Sequence, residues 1–372
     1  MTGQGHRAFA EALARFAAGA ADGRVTAIAE RAAAPLRVVV RGRRGVGRRT
    51  VAAALGRAGI ASGILVTKQH DQDEDVVVYV VTEVLKPEDI EAIGAARSPV
   101  LAVLNKADLA GSLSGGDGPI AAAHTRCTQL SALAGVAMEP MIGLLADAAL
   151  DVLDQDVWVD VWAGVRLLAA GSPALLEDSC DGFLSPDNPD NPVPIGLRRR
   201  LLDSLDLFGT ALAVAAVRRG ATAPQVRALL RRVSGVDAVV DKIGAVGAEA
   251  RYRRVLDAVA ELEALAVTEA GTEKGLEDQI SGFLSGDETV VARMAAAVDL
   301  AEASGLDLGI NEAALADCAD PAAHLPRATR WQRYIFQSRG NCGPVSDLYR
   351  ACGADIARGS LRLWSQARGQ AW

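Results

Sequence analysis

Residues 42–50 read Gly-Arg-Arg-Gly-Val-Gly-Arg-Arg-Thr, and the chemistry such a run supports is anion binding. Gly42 and Gly47 stand at the spacing of the phosphate-binding loop G-x-x-x-x-G-K-[ST], with Gly45 between them. Glycines let backbone N–H groups approach an anion closely, and a helix N-terminus behind them adds a favourable dipole. Two positions depart from the pattern. Arg48 replaces the lysine, and Arg49 replaces the hydroxyl residue that would hold magnesium. Arg48 keeps a positive charge but presents a rigid planar fork in place of a flexible ammonium. Thr50 comes one residue late, about 100° round a helix, so magnesium is expected only if Thr50 can substitute.

Two further runs supply groups that could read a base. In Asn105-Lys106-Ala107-Asp108, the aspartate can accept from the ring N–H and exocyclic amine of guanine, a donor pattern adenine does not offer. The asparagine and the lysine stem would brace the loop and cover the base. In Ser131-Ala132-Leu133, the backbone after the serine can donate to the base oxygen. The candidate binding set is therefore Gly42, Gly45, Gly47, Arg48, Arg49 and Thr50 at the phosphate end, with Asn105, Lys106, Asp108, Ser131 and Ala132 at the base end. Arg43 and Arg44 would add positive charge to the turn; the alternative is a solvated or partner-facing basic patch. No catalytic residue and no resident metal is assigned.

These groups need strands to carry them. Val38, Val39 and Val40 predict a buried strand running into the glycine turn, and residues 50–55 open an alanine-rich helix. Ile64, Leu65 and Val66 predict a second strand, and 76–81 is an apolar, β-branched run suited to a central parallel strand. A helix is expected over 87–96, a strand over 99–104, a flexible loop over 111–118, a strand over 125–130 and a helix over 139–153. That rhythm means an α/β fold with a doubly wound, mainly parallel sheet, whose ligands bind at the carboxyl ends of the strands. The rest reads as helices. Trp158, Trp162 and 165–168 mark one, and 196–270, 286–304, 329–338 and 343–366 give more. Thr222 with Pro224 is a start signal and Ser234-Gly235 a stop. The run 186–192, rich in proline, asparagine and aspartate, is the best boundary or exposed loop. Phe9, Leu13, Phe16, Val25 and Ile28 recur at helical spacing in the first 34 residues. The expected domains are a helical segment 1–34 that returns to the helical domain, a nucleotide-binding domain 35–155, and an all-helical bundle 156–372.

The net charge of −7 argues against a nucleic-acid partner. Five scattered cysteines without C-x-x-C spacing suggest a reducing compartment, and neither they nor the four histidines suggest a metal site. His124 near Cys127 is weighed as a thiol catalyst and set aside as structural; Trp158 and Trp162, at i and i+4, read as core. Charged residues interrupt any leader pattern at the N-terminus, and the longest apolar stretch is too short to span a bilayer. A cytoplasmic protein is expected, with room for peripheral membrane contact. Arg198, Arg199 and Arg200 could touch phospholipid headgroups but are few, and Trp372 could contact a partner.

The order of the three motifs resembles the translation-factor superclass of GTPases, which includes Era-like and dynamin-like proteins. Residues 198–220 and 226–239 resemble the helical regions of actinobacterial dynamin-like GTPases. The resemblance implies a P-loop GTPase-like sheet fused to an all-helical bundle. It implies guanine nucleotide, GDP or GTP, as the ligand, and a protein partner or oligomer, an intact GTPase relative among the candidates. The departures are as informative. Only 24 residues separate Thr50 from Asp75, no D-x-x-G occurs within 51–104, and nothing around Thr67 resembles a switch loop. Asp71, Asp73, Glu74 and Asp75 offer carboxylates without a glycine hinge. Phosphoryl transfer depends on the loop lysine, magnesium and a water-orienting group. The expectation is a degenerate GTPase with weak or no hydrolysis that acts through protein contacts. The alternatives are an active but atypical GTPase needing a partner, and a structural module that binds no nucleotide.

Overall fold

A computed structural model of the protein describes residues 3–67, 74–111, 118–150, 155–171, 180–185, 193–269, 275–305, 321–337 and 344–369. The 112–117 part of the expected loop, the 186–192 run, Asp71, Asp73, Cys318, Cys342 and Trp372 lie outside the described residues. The chain divides into two compact units, 37–243 and 1–36 with 244–372. Helices between 155 and 243 therefore cluster with the sheet, and the division does not coincide with the expected boundary at 155.

In the first unit, apolar runs make β1 (Leu36–Gly42), β2 (Ile64–Thr67), β3 (Val76–Val81), β4 (Val100–Asn105) and β5 (Met138–Met141). They form one five-stranded, all-parallel sheet in the order β2-β1-β3-β4-β5. Val39 sits opposite Val77, Val80 opposite Val103, and Asn105 opposite Met141. Every residue of β3 is buried, as a central strand covered on both faces requires. Tyr79, Val81, Ala102 and Leu104 pack with Ile93 of α4 (Pro87–Gly94) and with Cys127 and Leu130 of α5 (Gly118–Ala134). α3 (Arg48–Ala58) packs against α6 (Gly143–Leu150), and the right-handed crossover rule for parallel strands would set α3 on the face opposite α4 and α5.

Two expectations fail around β5. Residues 125–130 are not a strand but the middle of α5, whose Ala123, Cys127 and Leu130 are buried at helical spacing. His124 is exposed while Cys127 is buried. Residues 139–141 belong to β5, and the helix expected there begins only at Gly143. Glu139 and Pro140 hide this strand in the sequence; proline is tolerated because β5 is an edge.

The same unit continues as α7 (Gln155–Ala170), α8 (Cys180–Leu184), α9 (Ile195–Arg218) and α10 (Ala223–Val233). Their buried residues, among them Val161, Phe183, Leu201, Leu205, Ala213 and Leu230, join Ala107, Ile142 and Leu145 in one cluster. Trp158 and Trp162 pack against it, and the Arg227 guanidinium lies 4.3 Å from the Trp158 ring. Thr222 and Gln225 cap α10 reciprocally, with the Thr222 amide donating to Gln225 Oε1 at 2.8 Å. Arg198 is no membrane contact: it is buried and donates to the carbonyls of Phe183 and Ser185 at 2.8 and 2.9 Å. Arg200 pairs with Asp160. α11 (Val236–Val246) follows, with Val236, Val239 and Ile243 buried.

In the second unit, α1 (Gln4–Ala20) and α2 (Gly23–Ala33) join α12 (Ala248–Glu269), α13 (Leu276–Ser285), α14 (Asp287–Ala303), α15 (Pro321–Gln337) and α16 (Pro344–Gly369). Phe9, Leu13, Val25, Tyr252, Leu262, Ile280, Leu300, Trp331 and Ile356 fill one core. Asp299 accepts from the Gly5 amide at 2.9 Å at the start of α1, and His6 Nε2 lies 2.9 Å from the Ala32 carbonyl oxygen. Asp355, also buried, accepts from Tyr252 Oη and Arg293 Nη2 at 2.9 and 2.7 Å. Among the described residues, no helix is long and apolar enough to cross a membrane.

Candidate functional site

The strand order reverses direction between β1 and β3, and a doubly wound sheet opens its ligand crevice at the carboxyl ends of such a pair. The glycine turn lies at that end of β1. Gly42, Gly45 and Gly47 all have positive φ, at 143°, 88° and 80°. At Gly47 glycine is required twice over, because a Cβ there would sit 2.3 Å from Asn105 Nδ2.

Asn105 is what joins the turns. It ends β4, two strands away from β1, and is buried. Its Nδ2 donates to the Val46 carbonyl at 2.8 Å, and its Oδ1 accepts from the Gly143 amide at 2.9 Å. One side chain thus ties the glycine turn, the Asn-Lys-Ala-Asp turn and the start of α6. Lys106 follows in the left-handed conformation (φ 58°) with its side chain exposed, and a 3-10 turn spans Ala107–Ala110. Ala107 and Ile142 form part of the cluster built by α7, α9 and α10, so helices pack directly behind this turn. Asp108 is half-buried; burial first, and then the charge of Asp206 in α9, push its carboxyl above the usual carboxylate range. Asp206 itself breaks the helical backbone of α9, at φ 58° and ψ −177°.

The arginines of the glycine turn are used differently from the sequence expectation. Arg43 leaves the turn for Asp89, with Nε 2.8 and 3.0 Å from the two carboxylate oxygens. Asp89 is fully buried and also accepts from Tyr79 Oη at 3.0 Å and from the Lys86 amide at 2.9 Å. Burial alone would raise its pKa; the bonds from Arg43, the Lys86 amide and Tyr79 outweigh it and hold the carboxyl below its ordinary value. Tyr79 in turn is pushed up to about 12 by burial and by Asp89. Arg48 folds back across the turn, Nη1 3.5 Å from the Gly42 carbonyl oxygen. Arg44 and Arg49 are exposed, and Thr50 is half-buried in the first turn of α3. The described part of the acidic run is also engaged. Glu74 pairs with Arg41 at 2.7 Å, and Asp75 accepts from the Arg37 amide at 2.7 Å.

Ser131 and Ala132 are not brought to this site. They lie in the last turn of α5, before β5 begins and therefore at the opposite end of the parallel sheet. Ser131 Oγ donates to the Val136 carbonyl at 2.6 Å, closing that helix end. The backbone that does stand at the carboxyl end of β5 is Ile142-Gly143, where the Ile142 amide donates to the Ser234 carbonyl at 2.8 Å. The sequence signal for it was a glycine opening an alanine- and leucine-rich run. Asp89 was also missed, although an acid three residues after Lys86 and just behind Pro87 is a helix-start pattern.

Neither family models, nor curated proteins, nor solved structures match this chain. Functional inference therefore rests on the turns themselves.

Proposed function

We propose that residues 37–243 form a G-domain-like module that has kept the shape of a guanine-nucleotide site and lost its catalysis, a pseudo-GTPase that acts through protein contacts. The observation that carries this is Asn105, which joins the glycine turn to the Asn-Lys-Ala-Asp turn across an intervening strand. A nucleotide would span those two turns, phosphates on the glycine turn and base towards Asp108. Loss of turnover is supported at the phosphate end. Arg43 is committed to Asp89, Arg48 reaches the loop's own carbonyl, and Thr50 stands one position late for magnesium. An interaction module of this kind would work with a protein partner, an intact GTPase or a second copy among them.

Titration calorimetry with GDP and a non-hydrolysable GTP analogue, with and without magnesium, tests the proposal. Weak binding, unchanged by magnesium and lost in Asp108→Ala, is expected, with no phosphate release from GTP. Micromolar, magnesium-dependent binding of the analogue together with measurable turnover would show an active GTPase instead. Absence of any binding, with Asp108→Ala as stable as the parent, would favour a purely structural module.

A further inference from the structure

α15 is a basic helix in an acidic chain. It carries His324, Arg327, Arg330 and Arg333 and no acidic residue, whereas the whole protein has a net charge of −7. Arg330 and Arg333 are exposed, as charged residues on a helix surface ordinarily are. Arg327 is not. It is only 5% exposed, and Trp331, one turn further along the same face, is 3% exposed.

Among the described residues, three donors on this face have no acceptor: Nε and Nη2 of Arg327 and Nε1 of Trp331. Burying a guanidinium without an anionic partner is strongly unfavourable, and a buried indole N–H ordinarily finds an acceptor. If packing were the only requirement at 327, an apolar side chain of similar volume would serve better. The two open nitrogens of Arg327 also have a particular geometry. Nε and Nη2 bound one edge of the planar fork and project parallel N–H bonds, the edge that matches two oxygens of a carboxylate or phosphate. The indole N–H supplies a third donor from the next turn, and the exposed Arg330 and Arg333 raise the local potential that draws an anion in.

We propose that α15 holds an oxyanion-binding site, in which the Nε/Nη2 edge of Arg327 grips the phosphate or carboxylate group of a small molecule and Trp331 Nε1 donates to the same group. The site is independent of the nucleotide reading of 37–243, since it is built wholly within the helical unit.

Thermal unfolding of the full chain in sodium phosphate, sodium acetate and sodium chloride at equal ionic strength tests it. Phosphate or acetate should raise the unfolding midpoint by several degrees over chloride, and the anion with the larger effect identifies the ligand's head group. Arg327→Met should be at least as stable as the parent in chloride and lose the anion response. Trp331→Phe keeps the ring, and its response should shrink. A parent that responds no more to phosphate or acetate than to chloride overturns the proposal, as does an Arg327→Met variant that keeps the full response. If Arg327→Met does not fold, Trp331→Phe decides alone: an undiminished response there rejects the site and a diminished one supports it.

Discussion

Arg43 and Asp89 form an ion pair in which one partner sits on the glycine turn and the other is wholly buried in the first turn of α4. The arginine that sequence would assign to anion capture instead neutralises a carboxylate inside the fold. Arg43→Ala should therefore behave as a core lesion. Removing the arginine leaves the buried Asp89 carboxylate without its cationic partner, and the unfolding midpoint should fall by more than deletion of an exposed pair would cause. Urea unfolding monitored by circular dichroism measures this. A fall no larger than that of an exposed pair would mean that Asp89 does not depend on Arg43.

Asn105→Ala should be destabilising for a related reason. It orphans the Val46 carbonyl and the Gly143 amide together, each costing roughly 1–3 kcal/mol when left unsatisfied in the interior. Amide hydrogen exchange should report the damage locally, with the Gly143 amide losing protection before the β3 amides do. Uniform loss across the unit would argue against a local brace.

The glycine turn offers an internal control. A Cβ at Gly45 meets nothing within 4 Å, so Gly45→Ala should cost only the left-handed backbone penalty, about 1 kcal/mol. Gly47→Ala bears the same penalty and also displaces Asn105 Nδ2, so its loss in denaturant midpoint should be at least twice as large. Equal losses would show that the turn and Asn105 are not mechanically linked.

Two groups at the start of α1 should oppose each other in pH dependence. Burial first, with Arg251 nearby, lowers the His6 pKa to about 4, while burial raises that of Asp299 to about 6. The fold binds protons less tightly than the unfolded chain at His6; that stabilisation is complete above about 6.5 and is lost as pH falls through about 4. At Asp299 the fold binds a proton more tightly; that contribution is complete below 3.8 and is lost as pH rises through about 6. Asp299→Asn should thus be more stable than the parent at pH 7 and lose that advantage by pH 4, as guanidinium unfolding at a series of pH values would show. An advantage that grew on acidification would contradict the assignment.

How far the sequence led depends on how each segment announces itself. β1, β3 and β4 were legible because buried parallel strands are unbroken apolar runs, each ended here by a turn of recognisable chemistry. β5 was not, since four residues interrupted by Glu139 and Pro140 carry almost no periodic signal. Misplacing it moved Ser131 and Ala132 to the wrong end of the sheet, even though Ala123, Cys127 and Leu130 already spelled a helix. The glycine turn and Asn105 were legible as types and spacings. Their connection was not, because hydrogen bonds that cross a strand leave no trace in local sequence. The same holds for Arg43, whose partner lies 46 residues away.

The helical unit is assembled from the first 36 and last 129 residues, with 207 residues between its two parts. During synthesis, α1 and α2 therefore emerge with Phe9, Leu13 and Val25 uncovered, long before Tyr252, Leu262 and Leu300 exist to receive them. At ordinary ribosomal speeds of about 5–20 residues per second, that wait lasts on the order of 10 s or more. The inserted unit can complete its own fold meanwhile, whereas the amino-terminal pair must be shielded or stay unstructured. Truncation from the carboxyl end should consequently yield a chain whose first two helices are sticky.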